Sequence, residues 1–226
     1  MKIRPIQEDL CISVKKVYDW VTRQIEVSRN YVGNDGLNQL NFECNDVTGS
    51  AANPCFFGNR ATCFLSDSNG NRLDFTDPKA IICEEIGERQ DVPVSLPSGQ
   101  TIMLQRVRII ARGFFVVEIR DNLNRVVCVS DPQQFTSRPQ QFILCAPEGT
   151  RVVCHLSTFS CNAILRCDNS SFESLFVTID FCLNVQMEAP VKIRIRAEFC
   201  EPREEIAVTC PAVSPPPQCP TVFPNS

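Results

Sequence analysis

Fourteen cysteines and one histidine are the residues of this chain with chemistry to offer, and their spacing decides which chemistry that is. Zinc and iron–sulfur sites draw on close pairs of the Cys-x-x-Cys kind, because one turn must aim two sulfurs at one metal. The sequence contains no such pair; its tightest cluster, Cys154, Cys161 and Cys167, has wider gaps. Neither a metal site nor a thioredoxin-type motif is expected. A cysteine nucleophile would need His155 as its base. That residue ends Arg151-Val-Val-Cys-His155, a predicted strand with nothing glycine-rich around it, and reads as structural. The doublets Glu84-Glu85 and Glu204-Glu205 do not make acid/base pairs, because adjacent residues on a strand face opposite ways. Asp67-Ser-Asn-Gly-Asn71 with Asp74 spaces oxygens as a calcium loop does, but its glycine comes early and no glutamate closes it, so a hairpin turn is the better reading. No catalytic residue, metal ligand or cofactor is therefore expected, and disulfide formation is left as the chemistry of the thiols.

Composition narrows the class. The chain has 226 residues, 43% of them hydrophobic and 21% charged, with a net charge of −4. A sequence pI of about 5.2 and the lack of any basic run exclude a phosphate-neutralising patch, so nucleic acid is not an expected partner. No apolar stretch approaches the roughly 18 residues of a membrane span. Chains this rich in cysteine usually belong to oxidising compartments, yet Met1 to Leu10 lacks the apolar region of a secretory signal. Synthesis in the cytoplasm without a signal peptide is the expectation.

Sixteen prolines against nine glycines, among many short Val/Ile/Phe-rich runs, point to an all-β chain. Val191 to Phe199 and Leu175 to Val185 alternate apolar and polar residues as half-buried antiparallel strands do. Further strands are expected at Arg60–Ser66, Ala80–Ile86, Thr101–Ala111, Phe114–Arg120, Arg125–Ser130, Gln140–Cys145 and Arg151–Thr158. That spacing describes an antiparallel sandwich or jelly-roll-like domain. Two stretches, Asp67 to Pro78 and Asp121 to Pro132, line up as hairpin turn, returning strand and Asp-Pro stop. From Ser13 to Ile25 the residues Val14, Val17, Tyr18, Val21 and Ile25 recur at helical intervals, which favours a short helix or arm, with a strand as the alternative. The end from Cys210 onward holds too many prolines for helix or ladder. The expected organisation is an N-terminal helix or arm over 1–36, a β-sandwich core over 37–205 and a Pro/Cys-rich extended tail over 206–226.

Strand parity sorts the cysteines. Cys200 continues the polar row of Lys192, Arg194, Arg196 and Glu198. Cys182 shares its face with Thr178, Asp180 and Asn184, and Cys83 shares parity with Glu85, so these three are expected to point outward. Cys63 lies in phase with Ala61 and Leu65, and Cys154 with Val152 and Leu156; both are expected inside, as small hydrophobes or buried bridges.

Combining Leu10-Cys-Ile-Ser-Val-Lys-Lys-Val-Tyr-Asp-Trp-Val-Thr-Arg-Gln24 with dispersed cysteines and a β-rich body, the chain resembles the cysteine-rich coat, exosporium and appendage proteins of endospore-forming bacteria. The resemblance implies synthesis in the mother cell, assembly into a lattice or fibre at the spore surface, and disulfides that then lock the subunits. The partners implied are further copies of this chain and other spore-surface proteins, and the function is structural rather than enzymatic. Outward or terminal position makes Cys11, Cys200, Cys210 and Cys219, then Cys83 and Cys182, the candidates for intermolecular bridges. Two other readings stay open: a monomeric disulfide-stabilised binding module or adhesin, and a thiolate metal-binding protein.

Overall fold

The computed structural model describes residues 8–44, 53–57 and 60–197. In chain order they form β1 (Glu8–Val32), α1 (Gly33–Leu40), β2 (Glu43–Cys44), a 3-10 turn (Pro54–Phe57), β3 (Arg60–Ser66), β4 (Ile82–Glu85), β5 (Gln90–Ser95), β6 (Thr101–Arg120), β7 (Val126–Val129), β8 (Gln133–Thr136), β9 (Gln140–Leu144), β10 (Arg151–Asp168) and β11 (Ser171–Ala197). Ser13–Val191 is the larger of two compact units. The described part of the smaller unit is Glu8–Ile12 with Lys192–Ala197, where Arg196 Nε lies 3.5 Å from Asp9 Oδ1.

Two antiparallel sheets pack together as an all-β sandwich. One has the order β1-β11-β10; the other is built on β6, whose two edges are each covered by three short strands in succession. On one edge lie β5, β4 and β3, and on the other β9, β8 and β7, with β2 outside β7. The core is made where the long middle strands contribute alternate residues. From β6 come Val107, Ile109, Ala111, Phe115, Val117 and Ile119, and from β11 Leu175, Val177, Ile179, Phe181, Leu183, Val185 and Met187, all at most 1% exposed. Alternation of this length is what a two-residue period buries most efficiently.

Covering a 20-residue strand with short segments leaves gaps in the ladder, and the chain fills two of them identically. Ser130-Asp-Pro-Gln-Gln-Phe135 is repeated as Ser137-Arg-Pro-Gln-Gln-Phe142. At each break the serine N–H donates to a β6 carbonyl, Val117 or Ala111, and the amide of that same β6 residue donates to the serine Oγ. Both serines are buried, so each hydroxyl replaces a ladder partner where the chain steps from β7 to β8 and from β8 to β9. On the inner face, Gly113 makes room for its cross-strand partner Phe135. A Cβ there would sit 2.6 Å from the ring and 3.1 Å from the Ala80 carbonyl oxygen. Gly113→Ala is expected to cost about 1–3 kcal/mol, read as a lower denaturant midpoint, because a fully buried ring has nowhere to retreat.

The structure corrects the helix expected over Ser13–Ile25: these residues lie inside β1. Inward positions are even up to Val14 and odd from Val21 to Tyr31, and this change of parity within one strand leaves apolar residues three and four apart. Ile25, Val27 and Tyr31 belong to the core, so residues 13–32 are part of the body rather than of a separate arm. The one α-helix among the described residues is α1, ended by Asn41 in the left-handed region (φ 44). Strands expected as pairs are continuous: Arg112-Gly113 does not interrupt β6, nor Ala189-Pro190 β11. Pro190 is tolerated because it lies past the last β10 partner, Glu188 opposite Arg151. The expected tail, 206–226, lies outside the described residues.

The two matched Asp segments adopt the same turn. Asp67 accepts at Oδ1 from the amides of Asn69 and Asn71, and Asp121 does so from Leu123 and Arg125. The Asn71 side chain, first, and then these amides hold Asp67 below the usual carboxylate range; the Arg125 amide and side chain do the same for Asp121. A depressed folded value means the contribution is whole above the unfolded carboxylate pKa of about 3.9 and drains as pH falls through the folded one. Amide exchange at Asn69, Asn71, Leu123 and Arg125 is therefore expected to lose protection below about pH 4 before the β6 amides do. Asp67 Oδ2 accepts from the Asn71 side chain as well, so the residue serves as the hub of a turn.

Candidate functional site

The chemistry of the thiols is concentrated along β10. Cys154 bridges to Cys83 of β4, Cys161 to Cys63 of β3, and Cys167 to Cys55 of the 3-10 turn, with Cα–Cα distances of 5.9, 5.6 and 5.8 Å. Among the described residues β10 forms a ladder only with β11, while β3 and β4 form theirs only with β6. The seam between these two sheet edges is thus closed by sulfur rather than by backbone hydrogen bonds. A fourth bridge, Cys44–Cys128, joins directly opposed residues of β2 and β7. On the other side of the sandwich the closure is polar: Asp19 Oδ2 accepts from the Cys145 amide, and Arg23 donates to the Gln141 carbonyl while stacking on Phe142.

Three sulfurs on one strand can face one seam only if they are in phase. The step from 154 to 161 is odd and that from 161 to 167 even, so a regular strand would turn Cys154 away. The register shows how phase is recovered: Leu156 pairs with Leu183 and Thr158 with Cys182, leaving Ser157 bulged out. Beyond the bulge Phe159, Cys161, Ala163 and Leu165 continue the inward row that Cys154 and Leu156 begin. Deleting Ser157 is expected to abolish the Cys83–Cys154 bridge and leave Cys63–Cys161 intact, which peptide mapping under non-reducing conditions would read directly.

Cys83 is corrected by this geometry: it is committed to Cys154 inside the chain and is not available to another subunit. The Ile81-Ile82 doublet hides the parity of β4, and pairing with β6 decides it. Cys83 lies opposite the fully buried Ala111, whereas Ile82 lies opposite Arg112 and is 61% exposed. Cys63 and Cys154 are half-buried and bridged. Cys11, exposed on β1, and Cys182, half-buried on the outer face of β11 opposite Thr158, are unpaired, as is the half-buried Cys145. Cys200, Cys210 and Cys219 lie outside the described residues. His155 is exposed opposite Asn184. The cluster Cys154, Cys161 and Cys167 is spent on disulfides.

No protein-family model, curated protein or solved structure matches this chain. Its site must be read from its own geometry. No helix among the described residues is long and apolar enough to cross a membrane. Two features went unnoticed in the sequence. Arg89 fastens the β4–β5 corner to the connection between β9 and β10. It takes Glu85 with two nitrogens, at 2.8 and 2.9 Å, and donates to the carbonyls of Ala146, Pro147 and Thr150 and to Thr150 Oγ1. The Glu85 carboxylate holds that guanidinium charged above the usual arginine range. At the far end of β6, Arg60, Asp121, Asn124 and Ile164 border an open depression of about 600 Å³.

Proposed function

We propose that this chain is a non-enzymatic structural subunit of a bacterial spore surface that associates with copies of itself and is then locked by intermolecular disulfides. The observation that carries the reading is the division of labour among the sulfurs. Among the described residues eight cysteines close four bridges within the chain and staple the body, while Cys11 stays unpaired and exposed on β1, an outermost strand of its sheet. An edge strand is a template for another chain, and a surface thiol on it makes a reversible contact covalent. The internal bridges form as the subunit folds; Cys11 and Cys182 oxidise between subunits, with Cys200, Cys210 and Cys219 as further candidates. Other spore-surface proteins carrying exposed thiols are partners of the same kind.

Oxidising the purified full chain should give a ladder on non-reducing electrophoresis that reductant collapses. Cys11→Ser should lose most of that ladder, and electron micrographs should show ordered fibres or sheets. A chain that stays monomeric after oxidation would sink the reading. The four internal bridges equally suit a second reading, a monomeric disulfide-stabilised binding module or adhesin. A single monomeric species on size exclusion at high concentration, with all bridges internal, would favour that one.

A further inference from the structure

The described bridges differ in how an incoming thiolate meets them and in where the departing one goes. Thiol–disulfide exchange needs one sulfur open to attack and a second that can carry negative charge as it leaves. Cys44–Cys128 and Cys55–Cys167 each end in a sheltered cysteine, Cys128 at 1% exposure and Cys55 at 6%. Attack on the more open partner of either pair would expel a thiolate into a place shielded from water, and a desolvated thiolate leaves slowly.

Cys63–Cys161 has no sheltered end. Both residues are half-buried, and both lie on the wall of an open depression of about 230 Å³. At about 30 Å³ per water, that space holds several waters and admits the sulfur of a small thiol. Arg72 and Asp74 bring one charge of each sign to the same wall, with the Arg72 guanidinium 3.8 Å from the centre of the Phe64 ring. Cys83–Cys154 is half-buried at both ends as well, and position separates the two. Along β10 the order is Cys154, Cys161, Cys167, so Cys63–Cys161 is the middle staple of three. Opening an outer staple releases one end of the seam, whereas opening the middle one leaves it held on both sides.

We propose that Cys63–Cys161 is an exchange-active disulfide, opened by an external thiolate at the Arg72/Asp74 depression while Cys83–Cys154 and Cys55–Cys167 keep the seam shut. The incoming sulfur bonds to one cysteine of the pair, the S–S bond breaks, and its electron pair leaves with the other sulfur, which takes a proton from water. Return attack by that freed sulfur expels the incoming thiol and restores the bridge, so the step consumes no oxidant. The chemistry is the same for a small-molecule thiol and for a surface thiol such as Cys11 of a second copy.

The test uses the oxidised full chain with its free thiols first blocked by N-ethylmaleimide. Limiting dithiothreitol, whose second thiol displaces the first from the mixed disulfide, leaves an opened bridge as two thiols for iodoacetamide to label. Peptide mapping over time should find label at Cys63 and Cys161 about tenfold sooner than at the other described bridges, with near-ultraviolet dichroism unchanged at that stage. Arg72 is 61% exposed, so Arg72→Glu should fold normally. Its carboxylate should repel the thiolate and slow labelling of this pair about threefold, leaving the other bridges as they were. A second arm omits both the block and dithiothreitol, excludes oxygen, and looks for peptides linking Cys11 of one copy to Cys63 or Cys161 of another, with Cys11→Ser as control. Early label together with such peptides supports the proposal for both thiol sources; early label without them supports it for small thiols alone. Equal opening of the described bridges, another bridge opening first, dichroism lost with the first label, or Arg72→Glu labelling at the unmutated rate would overturn it. The first arm involves no second copy, so its failure leaves the self-assembly reading untouched.

Discussion

Replacing Cys63 and Cys161 together by alanine is expected to lower the unfolding free energy by about 3 kcal/mol, with the folded structure retained. A bridge spanning 98 residues would by itself remove chain entropy worth about 4.7 kcal/mol. Here the neighbouring Cys55–Cys167 bridge already holds the two segments together, and the ring that Cys63–Cys161 closes shrinks to about 15 residues, for which the same relation gives about 3 kcal/mol. Removing all three seam bridges forfeits on the order of 10 kcal/mol, as much as the whole net stability of an ordinary domain. The fully reduced chain should therefore unfold near room temperature. Denaturant midpoints with an unchanged m value would check the single pair, and loss of near-ultraviolet dichroism on reduction would check the set. A reduced chain that melts within a few degrees of the oxidised one would show that the sheets, not the sulfurs, hold the seam.

Arg89→Ala should cost about 2–4 kcal/mol, as much as truncating many core side chains although the residue lies outside the core. Six hydrogen bonds converge on one guanidinium, three of them into backbone carbonyls of the connection between β9 and β10. Glu85 and Arg89 keep 24% and 21% side-chain exposure, so water softens the loss of the charge pair and the range stays at the lower end for a buried network. The Ala146 and Thr150 carbonyls are harder to compensate, because alanine takes away the donor that Arg89 gives them, whereas the Pro147 carbonyl keeps the Thr150 amide and hydroxyl. Arg89→Lys should recover little, since one ammonium cannot present a planar fork to a carboxylate and a loop at once. Thermal melting with Glu85→Gln as a second variant separates the terms: the carbonyl bonds survive in that variant, so its loss should be well under that of Arg89→Ala.

These expectations rest on features of unequal visibility in the sequence. The alternation of Leu175 to Val185 foretold a core strand, and all six of its inward residues are at most 1% exposed. Arg60–Ser66 was legible to the residue. β5 and β8 were not foreseen, because Pro93 within one and the shortness of the other weaken a periodic signal that needs several alternations to stand out. Arg89 carried no signal at all. Its carboxylate partner is four residues away, but the carbonyls it binds lie more than fifty residues on, and nothing local marks a backbone acceptor.

What the sequence by itself determined was the class: a two-residue period, prolines between runs and an excess of cysteine make a disulfide-bearing antiparallel β protein. It also determined that Cys63 and Cys154 share phase with apolar neighbours. What only the tertiary structure decided was which sulfur meets which. A bulge at Ser157 resets the phase of β10, and pairing with Ala111 turns Cys83 inward despite the ambiguous Ile81-Ile82. The same cause explains the lost helix at Ser13–Ile25, where a change of facing within one strand mimics helical spacing. Side-chain facing is set by the neighbour a strand pairs with, and a one-residue slip reverses it. A sequence records the period of a strand but not its partner, so the period could be read and the pairing of the sulfurs could not.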